Sequence, residues 1–177
     1  MGSERKLVYY GHPALRIHAE PIDEITDEIK EIAADLLRVF KSLNAAGLAA
    51  HQIGEPIRMF ICAVDSRESD GVGFMVPPKI FINPKIEILG DETHTDLEGC
   101  LSIPNLYEPV SRPYRIRTTA LDIDGNEFTE ESFGYRARNI LHENDHLNGV
   151  LHIDRLSPIR KKQIAPQLKK IKKKFNK

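Results

Sequence analysis

Two histidines four residues apart lie within a stretch whose apolar residues recur at helical spacing. They are His142 and His146, in the segment His-Glu-Asn-Asp-His. The pattern over about 135–148, followed by Gly149 at the C′ position, predicts a helix. Residues four apart share one helix face, so both imidazoles can bind one metal ion, with Glu143 beside them as a base. The segment predicts a metal-binding helix; the alternative is a solvated helix with two surface histidines.

A catalytic site of this kind needs a third protein ligand and one open position. Downstream, the chain offers His152, beyond the expected end of the helix. Upstream, Cys100 lies in the segment Glu-Gly-Cys-Leu-Ser-Ile-Pro, and its thiolate would complete a Cys-His₂ site with one position open. A free cysteine is more often a small buried apolar residue. Cys62, within an apolar run, is expected to be that ordinary case.

A third segment combines small residues with an amide side chain. Gly47 begins the run Gly-Leu-Ala-Ala-His-Gln, which ends at Gln52. Small residues allow the main chain to approach a ligand closely, and the glutamine amide can donate to a developing oxyanion. Taken alone, small residues after a helix are more often a sign of tight packing.

Composition and charge narrow the class of protein. With 177 residues, 41% of them hydrophobic, the chain suits a single domain over 1–177. Two cysteines and no apolar run near 18 residues favour a cytoplasmic protein without a membrane span. Residues 160–177 contain nine basic and no acidic residues, whereas 1–159 carry a net charge of −10. An acidic body argues against DNA binding, and the basic tail is predicted to be a separate helix.

Hydrophobic periodicity predicts the other elements. In chain order they are a helix over 25–43 with Thr26 as N-cap, a buried strand over 59–64, a loop over 65–78, short strands at 81–82 and 86–89, a hairpin turn at 124–126, and a C-terminal helix with Ile164, Leu168, Ile171 and Phe175 on one stripe. Short strands between an early and a late helix favour an α+β fold. The segment 65–78 exceeds the usual connection length, which predicts a mobile loop: either a lid at the substrate groove or an excursion without a role.

Taken together, the segments 47–52, 98–102 and 142–146 resemble the peptide deformylase family. The similarity covers nearly the whole chain, including 11–16 and 149–155. It implies an α+β fold in which short mixed or antiparallel strands pack around a central helix bearing the HExxH segment. An N-terminal and a C-terminal helix complete that fold.

The resemblance also implies roles for particular residues. The metal would be bound by Cys100, His142 and His146, with Glu143 as acid and base. Gln52 and the Leu101 N–H would be the oxyanion donors. Six residues are expected to line the methionine pocket or the peptide groove: Gly47, Leu48, Leu97, Glu98, Tyr135 and Arg138.

The implied reaction is metal-assisted hydrolysis of the N-formyl group from the formylmethionine of newly synthesised polypeptides. Iron(II) is the first expectation for the metal, with zinc(II) second. The partners would be formylated nascent peptides and, through the basic tail, the ribosome. Two positions depart from the family pattern: Ala45 replaces a glycine and Leu141 replaces a glutamine. The alternatives are a zinc endopeptidase and a structural metal module closed by His51 or His94 as fourth ligand.

Overall fold

The computed structural model describes residues 5–67 and 71–175. Within them the chain forms helices α1 (Asp27–Ser42), α2 (Gly134–Leu147) and α3 (Pro158–Phe175), and strands β1 (Gly47–Ala49), β2 (Met59–Ser66), β3 (Gly73–Ile88), β4 (Thr93–Cys100), β5 (Ile103–Pro113), β6 (Arg115–Leu121) and β7 (Glu127–Phe133). The α+β class and the early and late helices are confirmed. In this part of the chain, no helix is long and apolar enough to span a membrane.

The strands form a five-stranded sheet of order β1-β2-β3-β6-β7 and a two-stranded sheet of β4 and β5. All of these pairings are antiparallel, so the sheets are not mixed. The hairpin predicted at 124–126 is confirmed between β6 and β7. The hairpin of β4 and β5, which carries Cys100, was not predicted.

The strands predicted at 81–82 and 86–89 are one strand, β3, which runs for 16 residues. The interruption in the sequence pattern is a bulge: the register with β6 shifts between Ile82 and Lys85. Asn83 lies there with φ of 49°. Its side-chain amide exchanges two hydrogen bonds of 2.8 Å with the main chain of Ile22, which fixes the bulge.

The predicted loop over 65–78 is wrong for most of its length. Strand β2 continues to Ser66 and β3 already begins at Gly73, while 68–70 lie outside the described residues. Two prolines, Pro77 and Pro78, suggested a loop because proline lacks an amide donor. They are tolerated because they lie in a bulge: the register of β3 with β2 shifts between Lys79, which pairs with Cys62, and Met75, which pairs with Val64, and β6 pairs with β3 only from Ile82 onward.

Strand β2 forms the centre of the core because its side chains alternate between the two faces of the sheet. One face carries Met59 and Ile61, which pack with the buried stripe of α1. The other carries Phe60 and Cys62, which pack with α2. Cys62 is therefore a core residue, as predicted. The Thr26 hydroxyl caps α1 by accepting from the Ile29 N–H, also as predicted.

Helix α3 packs against the small sheet rather than the large one. Its buried residues share a third apolar cluster with Cys100 at the end of β4. The predicted stripe is confirmed, with Ile164, Leu168 and Ile171 buried. Phe175 closes the stripe by stacking on Tyr9 with 3.9 Å between ring centroids. Helix α2 thus packs in the cluster with Phe60 and Cys62, and the end of β4 packs in the α3 cluster.

Candidate metal centre

The end of β4 meets one face of α2 at a cluster of three ligand side chains. His142 and His146 lie one turn apart on α2, and Cys100 faces them. The ligand atoms of the three residues all lie within 4.8 Å of one another. The Cys100 Sγ is 3.4 Å from the His146 Nε2. Bond lengths typical of a tetrahedral zinc-type centre place a sulfur and a nitrogen ligand about 3.5 Å apart, so this donor set fits such a metal ion.

The remaining position of the site is open. Among residues 5–67 and 71–175, no other histidine, cysteine, aspartate or glutamate joins the group. His51 is turned away and bonds the Ile17 carbonyl at 3.0 Å, while His94 pairs with Glu92 on the surface. The His152 ring lies tilted beside the His142 ring, with 5.9 Å between centroids, but is not part of the group. The described residues therefore supply three ligands and not the four of a closed structural site.

Glu98 lies behind the ligands and orients one of them. Its carboxylate accepts from the His142 Nδ1 at 3.1 Å, which leaves the Nε2 of that ring for a metal. Arg112 donates to both carboxylate oxygens at 2.8 Å. Although burial favours the neutral acid, these hydrogen bonds hold the pKa of Glu98 well below its usual range. The buried Glu98 carboxylate therefore fixes the orientation of the His142 ring.

The buried anion belongs to a larger ionic network. Arg138 donates to Glu98 at 2.7 Å and to the carbonyls of Val110 and His94. Arg112 also donates to Asp145, at 2.6 Å. Glu98 and Arg138 were predicted to contact substrate. Both do line the cavity, but their charged groups are engaged with other protein groups.

Glu143 is buried beside the ligands. Burial raises its pKa to about 7, and its Oε2 has no hydrogen-bond partner. Gly47 presses against this side chain: a Cβ at that position would lie 2.4 Å from the Glu143 Oε1. Only glycine leaves room for the carboxylate. A carboxyl group that is poised near neutrality and lacks a protein partner is suited to accept and return a proton.

Two further polar groups border the cluster. Gln52 is locked by its Oε1, which accepts from the Ala49 N–H at 2.9 Å, and its Nε2 points at the Cys100 Sγ at 3.5 Å. The same Nε2 reaches the Ser102 hydroxyl at 3.3 Å. Leu101 follows Cys100 in the turn between β4 and β5, at the edge of the cavity. Both predicted donors therefore lie at the site.

A cavity of about 500 Å³ opens in front of the cluster. Its wall includes Gly47, Leu97 and Tyr135, as predicted, and also Tyr107 and Asn139, which sequence reasoning missed. Leu97 and Tyr107 are largely exposed at its rim. The signal for Asn139 is its helical spacing, because it lies one turn before Glu143 on the same helix face.

Comparison with known proteins agrees with this geometry. A family model described as polypeptide deformylase matches residues 4–162. The peptide deformylase of Acinetobacter baumannii (strain SDF) is 36% identical over 165 residues, which are 93% of this chain and 90% of the relative. The chain belongs to the polypeptide deformylase family. The peptide deformylase of Nitrobacter hamburgensis is 38% identical over 167 residues, covering 94% of each chain. The crystal structure of peptide deformylase from Ehrlichia chaffeensis has a TM-score of 0.84 and 31% identity, covering 97% of each chain.

The two departures from the family pattern lie beside the site without disturbing the ligands. Ala45 is buried and is not among the described residues with positive φ; the neighbouring Asn44 takes that conformation, with φ of 50°. Leu141 packs at the edge of the α2 cluster and does not line the cavity. Cys100, His142, His146 and Glu143, to which the resemblance gives the ligand and acid/base roles, lie together at this site.

One of the six residues that we predicted to line the pocket of this deformylase-family chain does not do so. Leu48 does not line the cavity, because its side chain is fully buried in the α1 cluster. It pairs with Ile61 of β2. Neighbouring residues of a strand point to opposite faces, so the segment that presents Gly47 to the cavity turns the next side chain into the core.

Proposed function

We propose that the chain removes the N-formyl group from the N-terminal formylmethionine of newly synthesised polypeptides, by metal-dependent hydrolysis of a linear amide. The observation that carries this proposal is the cluster of Cys100, His142 and His146 with the buried Glu143 at the base of an open cavity. A three-ligand site with an adjacent base is the arrangement that hydrolytic metal sites use.

We propose iron(II) as the resident metal, with zinc(II) as the second choice. One thiolate and two imidazoles suit both ions, and availability decides between them. Cys100, His142 and His146 would hold the ion, which would act as a Lewis acid and lower the pKa of water enough for attack at neutral pH.

Three groups of the protein would carry out proton transfer and stabilise the developing negative charge. Glu143 takes the proton of the attacking water and returns it to the departing amine nitrogen. The Gln52 Nε2 and the Leu101 N–H donate to the formyl oxygen as negative charge develops on it. A donor of this type typically contributes about 3 kcal/mol to transition-state stabilisation.

The peptide beyond the formyl group would follow the cavity wall. Gly47, Leu97 and Tyr135 border its length, and Tyr107 extends the exposed apolar rim. Formyl is the smallest acyl group, so a tight wall beside the metal position would exclude acetyl.

The test is the variant Glu143→Gln, which keeps the shape of the side chain and removes its basicity. We expect kcat on formyl-Met-Ala-Ser to fall by at least about 100-fold, with metal content and melting temperature unchanged. A kcat near that of the unaltered protein would contradict the mechanism. Cleavage of internal bonds in an intact protein substrate would favour an endopeptidase instead.

We further propose that 1–177 act as one catalytic domain in the cytoplasm and attach to the ribosome through the basic segment 160–177. Supporting this, the apolar stripe of α3 shares a cluster with Cys100, while the described lysines of the segment are exposed. Lys177 lies outside the described residues.

A further inference from the structure

A second cavity, of about 480 Å³, lies beside the cavity of the metal centre and has no role in the proposed reaction. Its wall combines the first half of β4 with the start of α2 and with residues 71–73. Tyr135 and Arg138 of α2 line both cavities. These two side chains therefore form the partition between the second cavity and the metal-site cavity.

Strand β4 connects the two cavities along one of its edges. Among residues 5–67 and 71–175 it pairs only with β5, and its residues 93–97 are exposed, so its other edge is unpaired. Residues 97–100 of the strand line the metal-site cavity, and residues 94–96 line the second cavity. An unpaired strand edge can bind an extended peptide through main-chain hydrogen bonds. A peptide on this edge would pass from the first cavity to the second.

The spacing of residues in a strand identifies the part of the substrate that reaches the second cavity, and this step rests on the proposed function. The formyl group would lie at the metal cluster, beside Cys100. An extended peptide and a strand both advance by about 3.3 Å per residue, so a peptide that follows β4 stays in step with it. Asp96 precedes Cys100 by four residues. The fourth and fifth residues of the peptide therefore come beside the second cavity.

The side chains that line the second cavity favour a positive charge. Asp96 is exposed there, and its Oδ1 accepts from the Leu97 N–H at 2.7 Å, which leaves the carboxylate without a cationic partner among the described residues. Tyr114 and Tyr135 border the same space. The face of a tyrosine ring attracts a cation, so the two rings and the carboxylate favour the same kind of ligand.

Two arginines in this wall are already engaged with other groups of the protein. Arg112 donates to Glu98 at 2.8 Å and to Asp145 at 2.6 Å, and its side chain is buried. Arg138 donates to Glu98 at 2.7 Å and to two main-chain carbonyls. Within the part of the chain that the structure describes, Asp96 is therefore the charged side chain of this wall that remains free to pair with a ligand.

We propose that the second cavity binds the fourth and fifth residues of the formylated peptide and prefers lysine or arginine there. The methylene groups of such a side chain can pack on the tyrosine rings while its charge lies at Asp96. A glutamate in the same place meets the Asp96 carboxylate as a like charge. Because this contact is remote from the formyl group, it stabilises the ground state and the transition state equally. It therefore lowers KM and leaves kcat unchanged.

The experiment measures kcat and KM of the metal-loaded enzyme at low ionic strength with three peptides that have amidated C-termini. They are formyl-Met-Ala-Ser, formyl-Met-Ala-Ser-Lys-Lys and formyl-Met-Ala-Ser-Glu-Glu. We expect kcat/KM of the lysine peptide to exceed that of the glutamate peptide at least about tenfold, through KM alone. Asp96→Asn keeps the shape of the side chain and removes its charge, and it should reduce this lysine/glutamate ratio at least about threefold.

Asp124→Asn is the matched control, because Asp124 is an exposed aspartate in the turn between β6 and β7 that lines neither cavity. It changes the net charge by the same amount, and its ratio should equal that of the unaltered protein. With formyl-Met-Ala-Ser hydrolysed, a ratio near one in the unaltered protein, or equal ratios in the two variants, would overturn the inference and leave the proposed function intact. Failure of the unaltered enzyme on all three peptides would instead overturn the proposed function, and the inference with it.

Discussion

At the scale of single residues, the two cysteines illustrate how surroundings decide chemistry. Both are buried. Burial raises the pKa of the Cys62 thiol to about 11; it packs among the apolar residues between β2 and α2, with the Arg136 guanidinium 3.8 Å from its sulfur. Cys100 instead faces the imidazole of His146 and the amide of Gln52. Of the two cysteines, Cys100 is the one that lies with the imidazoles of His142 and His146, so it is the one suited to be a metal ligand.

We therefore expect Cys100→Ala to lose at least nine-tenths of its bound metal, measured by elemental analysis of purified protein. The substitution removes one of three ligands and leaves the two histidines, which are too few for a tight site. Cys62→Ala is the matched control, and it should keep its metal while losing some stability from the cavity it creates. Full metal occupancy in Cys100→Ala would remove that residue from the ligand set.

The sequence predicted the residues that belong to an uncommon motif. It did not predict residues whose role depends on the direction in which the side chain points. The ligand set and Glu143 follow from residue type and helical spacing alone. Leu48 was misplaced, because the direction of a side chain on a three-residue strand depends on pairing with β2, which sequence does not reveal. Asn139 was missed because an asparagine on a helix has no special meaning until the cavity beside it is known.

At the scale of elements, an ionic network joins the hairpin of β4 and β5 to α2. Arg112 on β5 donates to Glu98 on β4 and to Asp145 on α2. The Arg112 side chain is only 2% exposed. Because Glu98 also orients His142, this network couples the position of a metal ligand to the packing of the hairpin.

We expect Arg112→Ala to lower the free energy of unfolding by about 3 kcal/mol, because it removes the arginine shared by two buried carboxylates and leaves Glu98 with Arg138 and Asp145 with the half-exposed Arg155. The measurement is urea unfolding of the metal-loaded protein. Arg117→Ala is the matched control: Arg117 also bonds two carboxylates, at 2.8 and 2.7 Å, but its side chain is 41% exposed. Its substitution should cost less than about 1 kcal/mol. Equal losses of stability in both variants would show that the buried network contributes no more to the free energy of unfolding than the exposed ion pairs of Arg117.

The elements themselves were predictable where local patterns are strong. Helix α1 has a capping threonine and a clear apolar stripe, and the hairpin at 124–126 has its turn residues. Strand β3 was divided in prediction because the Asn83 bulge and two prolines mimic loop signals. What holds β3 together is pairing with the preceding strand β2 and with β6, which follows only after β4 and β5, so no short window of sequence contains the information.

At the scale of the whole molecule, positive charge is separated from the acidic body. Not all of the basic segment is free, since Arg160 pairs in bidentate fashion with the buried Glu108 on β5. This ion pair and the buried stripe of α3 anchor the helix, while Lys169, Lys170 and Lys173 are exposed. Removing the helix would also uncover the cluster that contains Cys100, so substitution of lysines is the cleaner test.

The triple variant Lys169, Lys170 and Lys173→Gln should bind ribosomes more weakly without losing activity on formyl-Met-Ala-Ser. A contact that neutralises about four phosphates of single-stranded RNA gives a slope of log K against log salt near −3, and removing three charges should reduce its magnitude by about 2. The control replaces three exposed lysines elsewhere, Lys30, Lys41 and Lys85, with the same change in net charge. Co-sedimentation with ribosomes over a series of salt concentrations measures the slope. Equal slopes for the two variants would contradict attachment through α3, because net charge alone would then account for binding.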